Sequence, residues 1–223
     1  MIFNTFSIVA RCPRTASFGV AVSTARPAVG AAVPWVSARG AVATQAKTNT
    51  ELGRRALALL DRGVSVRVAL GALLNGDPER DRRQVHGVDG DGAFAHTGQE
   101  CVPWCGDRTA ADFSIAGNML AGPQVLDAMA AAFAEAGALE LPERLVRALE
   151  AAQAAGGDKR GKQSAALLVW SPDPRPYHNL RVDDHAEPVA ELRRLHDLAV
   201  AHTDTLVEQY GAEGLRRYRR PKS

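Results

Sequence analysis

Alternating hydrophobic and polar positions near the start of the chain predict a β-strand over residues 4–10. Successive side chains of a strand point to opposite faces, so Phe6 and Ile8 share one face while Thr5 and Ser7 share the other. The two hydroxyls therefore lie on a different face from the large apolar side chains. Runs of small, β-branched and apolar residues predict further strands over residues 16–24, 40–45, 83–88, 93–97, 112–119, 164–170 and 180–182.

Apolar residues that recur every three or four positions predict helices over residues 50–61, 65–75, 123–136, 141–154 and 188–210. The first four form two pairs, and each pair follows a group of strands. Antiparallel sheets have one face that needs cover, and each helix pair can provide it. The order predicts an α+β fold, either a four-layer αββα sandwich of two packed sheets or a three-layer fold with one larger mixed sheet. Residues 26–39, with two prolines and a glycine around Trp35, are predicted to form a loop.

The composition is that of a globular protein, because 46% of the 223 residues are apolar. We expect a single domain over residues 1–223 with a C-terminal helix at about 188–210 and a basic tail. The net charge of +2 gives no reason to expect a nucleic-acid or membrane partner. No apolar run approaches the length of a membrane span, and residues 1–4 lack the features of a secretory signal, so we expect a cytoplasmic protein.

The metal-binding residue types lack the spacing of a metal site. Cys12, Cys101 and Cys105 are odd in number, which does not suit a set of disulfides. Cys101 and Cys105 with His96 would still need a fourth zinc ligand, and the other histidines are scattered. We therefore expect no metal and no cofactor.

Thr5 is the candidate nucleophile. A free α-amino group has a pKa of about 7.7–8.0, so at neutral pH it can take the proton of its own residue's hydroxyl. Thr5 would acquire such a group only after removal of residues 1–4. The alternative is that Thr5 simply pairs with neighbouring strands.

Polar residues also collect where other predicted strands end. Gln45 and Lys47 follow the strand over 40–45, and Gly117 and Asn118 end the strand over 112–119. The Asn118 amide or the main-chain amides near Gly117 could donate to an oxyanion, or Asn118 could cap a turn.

The loop over residues 156–163 is rich in glycine and charge and is a second candidate binding segment. Arg160 could bind a substrate carboxylate, or it could form a structural ion pair with Asp158. Gln163 belongs to the same loop. Ser164 could bond to Thr5 or be a rival nucleophile, although a core hydroxyl is the commoner role.

Five stretches of the chain resemble one bacterial family, domain of unknown function 1028 (DUF1028), which is placed in the N-terminal nucleophile (Ntn) hydrolase superfamily. The stretches are Thr5–Arg11, Ala43–Ala46, Gly117–Gly122, Gly156–Ala166 and Arg181–His185, and the resemblance extends to about Leu195. It implies the αββα sandwich, and it does not imply a substrate.

Family members often begin Met-Thr-Phe-Ser, so removal of methionine exposes the threonine that matches Thr5. Here Met1, Ile2, Phe3 and Asn4 precede it, so the bond between Asn4 and Thr5 must be cut. The resemblance also suggests Lys47 as the lysine that lowers the pKa of the nucleophile in some Ntn enzymes.

Three hypotheses follow for the function. The first is an Ntn-type amidohydrolase that cleaves a C–N amide bond of a small substrate, with Thr5, Asn118 and Lys47 as catalytic residues and Gln45, Gly117, Asp158, Arg160, Gln163 and Ser164 as binding residues. The second is a non-catalytic small-ligand-binding protein on the same scaffold. The third is a scaffold in which the last helix forms a homo-oligomer through Leu192, Leu195, Leu198, Val200 and Leu206.

Overall fold

The structure is a computed structural model that describes residues 2–3, 5–173 and 175–217, with side chains described for 5–173 and 175–211. Within these residues the protein has a mixed α+β fold of two antiparallel sheets and five helices. Residue 4 and the end of the basic tail, residues 218–223, lie outside the described residues.

The first sheet has the spatial order β1 (Ile2–Phe3), β5 (Gly40–Lys47), β6 (Arg83–Asp89) and β7 (Ala93–Thr97), and β4 (Pro34–Ser37) also pairs with β5. The second has the order β11 (Asn179–Val182), β10 (Ser164–Trp170), β3 (Ser17–Thr24), β2 (Thr5–Cys12), β9 (Phe113–Gly117) and β8 (Gly106–Thr109). The helices are α1 (Thr50–Leu60), α2 (Val66–Asn75), α3 (Gln124–Glu135), α4 (Leu141–Ala154) and α5 (Pro188–Arg217), and α5 is kinked at Gly211.

The buried apolar side chains form three clusters. One lies between the second sheet and α3, α4 and the start of α5, and it contains Phe6 and Ile8. The next joins the two sheets and contains Val9 together with Ala43 of β5. The last joins the first sheet to α1 and α2, with Val42 among its members. The predicted alternation along β2 is therefore confirmed, and the hydroxyl-bearing face of β2 points towards the first sheet.

The chain passes from one sheet to the other just before Thr5. Ile2 pairs with Lys47 and Phe3 pairs with Ala46, so β1 belongs to the first sheet. Thr5 pairs with Thr24 of β3, so β2 belongs to the second sheet. The peptide bond proposed for cleavage therefore lies where the first few residues connect the two sheets.

The predicted helices and the longer strands agree with the observed elements to within a few residues, except that α5 extends to Arg217. The segment over 26–39 was predicted as a loop, but it contains β4. Trp35 of β4 packs on Gly53 of α1, where a Cβ would lie 2.3 Å from the indole ring. The strand thus forms through a contact with α1 that has no counterpart in the local pattern. None of the helices within the described residues is both long and apolar enough to span a membrane.

Candidate functional site

The Thr5 hydroxyl is buried without a hydrogen bond. Thr5 has no exposed surface, and its Oγ1 has no partner among the described residues. Leaving a buried polar group unpaired costs about 1–3 kcal/mol, so such groups are rare in folded proteins. The hydroxyl is held at a cost to stability, which is a feature common at functional sites.

Asn118 lies directly opposite Thr5 on the neighbouring strand. Phe6 pairs with Gly117, and the next bond of the ladder joins the Asn118 N–H to the Thr5 carbonyl oxygen at 3.0 Å. Directly opposite residues of antiparallel strands place their side chains on the same face. The Asn118 amide nitrogen Nδ2 donates to Gln84 Oε1 at 2.9 Å, whereas its Oδ1 is buried and has no partner in the described chain. Two unpaired polar atoms therefore occur on facing residues.

Gln84 of β6 organises the polar groups between the two sheets. Its Nε2 lies 3.0 Å from the Gly117 carbonyl oxygen, 3.1 Å from the Gly106 carbonyl oxygen and 2.8 Å from Thr97 Oγ1. Carbonyl oxygens only accept hydrogen bonds, so the amide orientation of Gln84 is fixed. Its Oε1 accepts from Asn118 and also from Gln45 Nε2, at 2.7 Å.

Ser7 and His86 form a second buried pair in the same layer. The Ser7 hydroxyl donates to Gln45 Oε1 at 2.8 Å, and Ser7 Oγ lies 2.7 Å from His86 Nε2. His86 Nδ1 lies 3.1 Å from the Ser114 carbonyl oxygen, which can only accept, so in the neutral imidazole Nδ1 carries the proton and Nε2 is an acceptor that shares the Ser7 hydrogen with Gln45 Oε1. Burial lowers the pKa of His86 from 6.5 to about 3. The Ser7 hydroxyl is therefore paired within the protein, whereas the Thr5 hydroxyl has no partner among the described residues.

Two residues with left-handed backbone conformations flank this layer. Ala46, next to Gln45, has φ 63° and Met119, next to Asn118, has φ 54°. This region is unfavourable for residues with a Cβ and is enriched at functional sites. Neither signal is visible in the sequence, since alanine and methionine are not typical of such positions.

Lys47 is engaged away from the Thr5 hydroxyl. Its ammonium group binds Glu79, and its carbonyl oxygen accepts from Arg83 at 2.5 Å. Thr5 Oγ1 has no partner, so in the full-length chain Lys47 does not contact it. The predicted catalytic role of Lys47 would require this ion pair to open.

Asp158 and Arg160 form an ion pair in the loop over 156–163. Arg160 Nε lies 3.0 Å from Asp158 Oδ1, and Nη2 bonds to Oδ2 of a carboxylate that is fully buried. The Asp158 carboxylate also accepts from the Ala25 N–H at 3.4 Å. Arg160 therefore forms the structural ion pair with Asp158 that was the alternative to binding a substrate carboxylate. Together with the bond to Ala25, this pair ties the loop to the end of β3.

The other predicted binding residues also have partners within the protein. The Ser164 hydroxyl donates to the Arg26 carbonyl oxygen at 2.5 Å and accepts from the Val29 N–H at 3.1 Å, as a core hydroxyl does. Gln163 Nε2 donates to Asp184 Oδ1 at 3.0 Å. Gly117 contributes its carbonyl oxygen to Gln84, and a Cβ there would lie 2.5 Å from Leu120. The structure thus groups Gln45, Gly117 and Asn118 around Gln84 and places Gln163 and Ser164 in other contacts.

Cavities of about 190, 270, 290 and 330 Å³ occur among the described residues, and the residues that line these four include neither Thr5 nor Asn118. One group of possible metal ligands, Glu143, His196 and Asp197, occurs between α4 and α5. Arg193 already binds Glu143 at 2.6 Å and Asp197 at 3.2 Å, so the cluster is an ion-pair network. Thr5 and Asn118 have no exposed surface in this state.

The sequence matches one family model over most of its length. The model for a family of unknown function, DUF1028, matches residues 5–192. The chain belongs to the DUF1028 family. A crystal structure of protein SPO2555 from Silicibacter pomeroyi, assigned to DUF1028, is 38% identical and has a TM-score of 0.81, with 88% of this chain and 86% of that chain covered. None of the curated proteins compared with the sequence matches it. The DUF1028 match begins at Thr5, the first residue of β2.

Proposed function

We propose that this DUF1028 protein is an Ntn-type hydrolase of a C–N amide bond in a small substrate, with Thr5 as its nucleophile after loss of residues 1–4. The observation that carries the proposal is the buried, unpaired Thr5 hydroxyl at the point where the chain crosses between the sheets. The DUF1028 match starts at Thr5, which supports a division of the chain into residues 1–4, which are removed, and a mature protein that begins at Thr5. The αββα arrangement belongs to this proposal, and the three apolar clusters of the fold support it.

The proposed maturation is an intramolecular reaction. Thr5 Oγ attacks the carbonyl carbon of Asn4, the C–N bond to Thr5 breaks, and the hydroxyl proton passes to the departing nitrogen. The product is an ester between Asn4 and the Thr5 oxygen. Water then hydrolyses the ester, which leaves a carboxylate on Asn4, a free hydroxyl on Thr5 and a free α-amino group on Thr5.

The matured chain would use the hydroxyl oxygen and the α-amino nitrogen of Thr5 to cleave the substrate. The α-amine takes the proton of Thr5 Oγ as the oxygen attacks the amide carbonyl, and it then gives that proton to the leaving nitrogen. The resulting acyl ester is cleaved by water. Loss of β1 from its pairing with β5 would uncover the end of the layer between the sheets, where substrate can reach Thr5.

The net charge and the exposed side chains of α5 bear on the partners and the location that we propose. A net charge of +2 offers little attraction for nucleic acid, so we propose neither a nucleic-acid nor a membrane partner, and we propose a cytoplasmic location. Leu192, one of the residues expected at a homo-oligomer interface, is instead fully buried in the core, so the proposed homo-oligomer would use exposed side chains of α5, among which Leu198 and Tyr210 expose 59% and 64% of their surface.

The experiment compares three purified proteins against a panel of small amides: the full-length chain, a chain that begins at Thr5, and the full-length Thr5→Ala variant. We expect amide cleavage by the chain that begins at Thr5 and none by Thr5→Ala. If the chain that begins at Thr5 binds small amides without cleaving them, the non-catalytic binding protein is the better description. The full-length chain should become active only as residues 1–4 are lost.

A further inference from the structure

The orientation of the Asn118 amide decides which kind of group it can bind. Gln84 Oε1 can only accept, so the Asn118 atom that faces it at 2.9 Å must be the nitrogen Nδ2. Rotating the amide by half a turn would bring two acceptor oxygens together. The unpaired, fully buried atom of Asn118 is consequently the oxygen Oδ1, which can only accept.

Gln84 cannot relax this constraint by turning its own amide. Its Nε2 is held by the carbonyl oxygens of Gly106 and Gly117, and neither can donate a hydrogen bond. The two carbonyls therefore fix Gln84, and Gln84 fixes Asn118. This differs from the role expected from the sequence, in which the Asn118 amide donates to an oxyanion.

A buried acceptor with no partner implies a donor that the described residues do not provide. Thr5 faces Asn118 directly across the β2–β9 ladder, and cleavage before Thr5 would create a new donor, its α-amino group. We propose that Asn118 Oδ1 binds the α-amino group of the matured Thr5, and that Gln84 is the positioning residue that keeps this oxygen aimed at it. The inference rests on the proposed function for its N-terminus, and it assigns Asn118 to the proton-carrying group instead of the oxyanion.

The charged groups that border this end of the layer do not supply the same contact. Asp158 is paired with Arg160, and Lys47 with Glu79. His86 of β6 is held by Ser7. A hydrogen-bond acceptor stabilises the ammonium form of an amine, so the contact with Asn118 should raise the pKa of the Thr5 amine.

The test measures that pKa in a chain that begins at Thr5 and carries ¹³C-labelled threonine, by following the Thr5 Cα signal in an NMR titration. Asn118→Leu removes the acceptor at similar volume, and we expect the amine pKa to fall by about one unit or more. Asn118→Asp keeps an acceptor and adds a negative charge, so the pKa should rise above that of the unsubstituted chain. Thr97→Val is the matched control, because it alters the far side of Gln84 and should leave the pKa unchanged.

Gln84→Leu frees the Asn118 amide to turn, and it should lower the amine pKa as Asn118→Leu does. Equal amine pKa values in the unsubstituted chain, Asn118→Leu and Asn118→Asp would overturn the inference. Should Asn118→Leu not fold, the upward shift in Asn118→Asp decides the question alone. These readouts need no substrate, so an inactive protein that shows the shifts refutes the proposed hydrolase and leaves the role of Asn118 in place.

Discussion

Replacing Thr5 by valine should stabilise the full-length protein. The two side chains have the same shape, and both are β-branched, so the strand and its packing are retained. The change removes a buried hydroxyl that has no partner in the described part of the chain and buries a methyl group in its place. An unpaired hydroxyl costs about 1–3 kcal/mol and a buried methyl group contributes about 0.8 kcal/mol, so we expect the free energy of unfolding to rise by about 2–4 kcal/mol.

Ser7→Ala is the matched control, two residues along the same strand and on the same face. Ser7 is as fully buried as Thr5, but its hydroxyl lies within hydrogen-bond distance of both Gln45 and His86. Its removal leaves two buried polar atoms without partners, and the free energy of unfolding should fall by about 2–4 kcal/mol. The two hydroxyl deletions should therefore change stability in opposite directions.

Urea denaturation followed by circular dichroism measures both changes, with intact mass used to confirm that each sample still contains residues 1–4. Equal slopes with shifted midpoints would show that the variants differ in stability and not in the compactness of the unfolded chain. If Thr5→Val lost as much stability as Ser7→Ala, the Thr5 hydroxyl would have a stabilising partner. The inference that this hydroxyl is left unpaired for a functional role would then be refuted.

Three further predictions concern other parts of the fold. The pKa of His86 is about 3 in the folded protein, whereas an unperturbed histidine has a pKa of 6.5. Between these two pH values the unfolded chain binds a proton at His86 and the folded protein does not, so the free energy of unfolding should fall as the pH is lowered from about 6.5. In urea titrations His86→Gln should lack this component, which reaches about 1.4 kcal/mol per pH unit, and parallel pH profiles would contradict the assignment. Asp158→Asn leaves Arg160 without its buried counter-charge, and the free energy of unfolding should fall by about 3 kcal/mol; a change below 1 kcal/mol would contradict a structural role for the pair. Leu198→Ser with Tyr210→Ser should convert the proposed oligomer to monomers in light scattering, and an unchanged mass would exclude these two exposed side chains of α5 as the contact.

The sequence predicts the main elements because each carries its own local signal. The helix over 141–154 and the strands over 93–97 and 164–170 have the predicted bounds. The strands β1, β4 and β8 were missed because each has four residues or fewer. Such short segments show no period of their own.

The candidate site was only partly predictable for a related reason. Thr5, Gln45 and Asn118 were selected as polar residues at strand ends, and the structure brings the latter two to Gln84. Gln84 and His86 were not selected, because their contacts join strands that are far apart in the chain, with 79 residues separating Ser7 from His86. One sequence feature could have indicated Gln84 and His86. They occupy alternating positions of a buried strand, where a polar side chain needs a hydrogen-bond partner.

The most direct measurement is the intact mass of the protein purified from its native host, beside that of Thr5→Ala expressed in the same way. The account predicts a species that begins at Thr5 for the unsubstituted protein and only full-length chain for Thr5→Ala. Finding the unsubstituted protein only in its full-length form, with Met1 to Asn4 still attached, would contradict the claim that Thr5 becomes an N-terminal nucleophile.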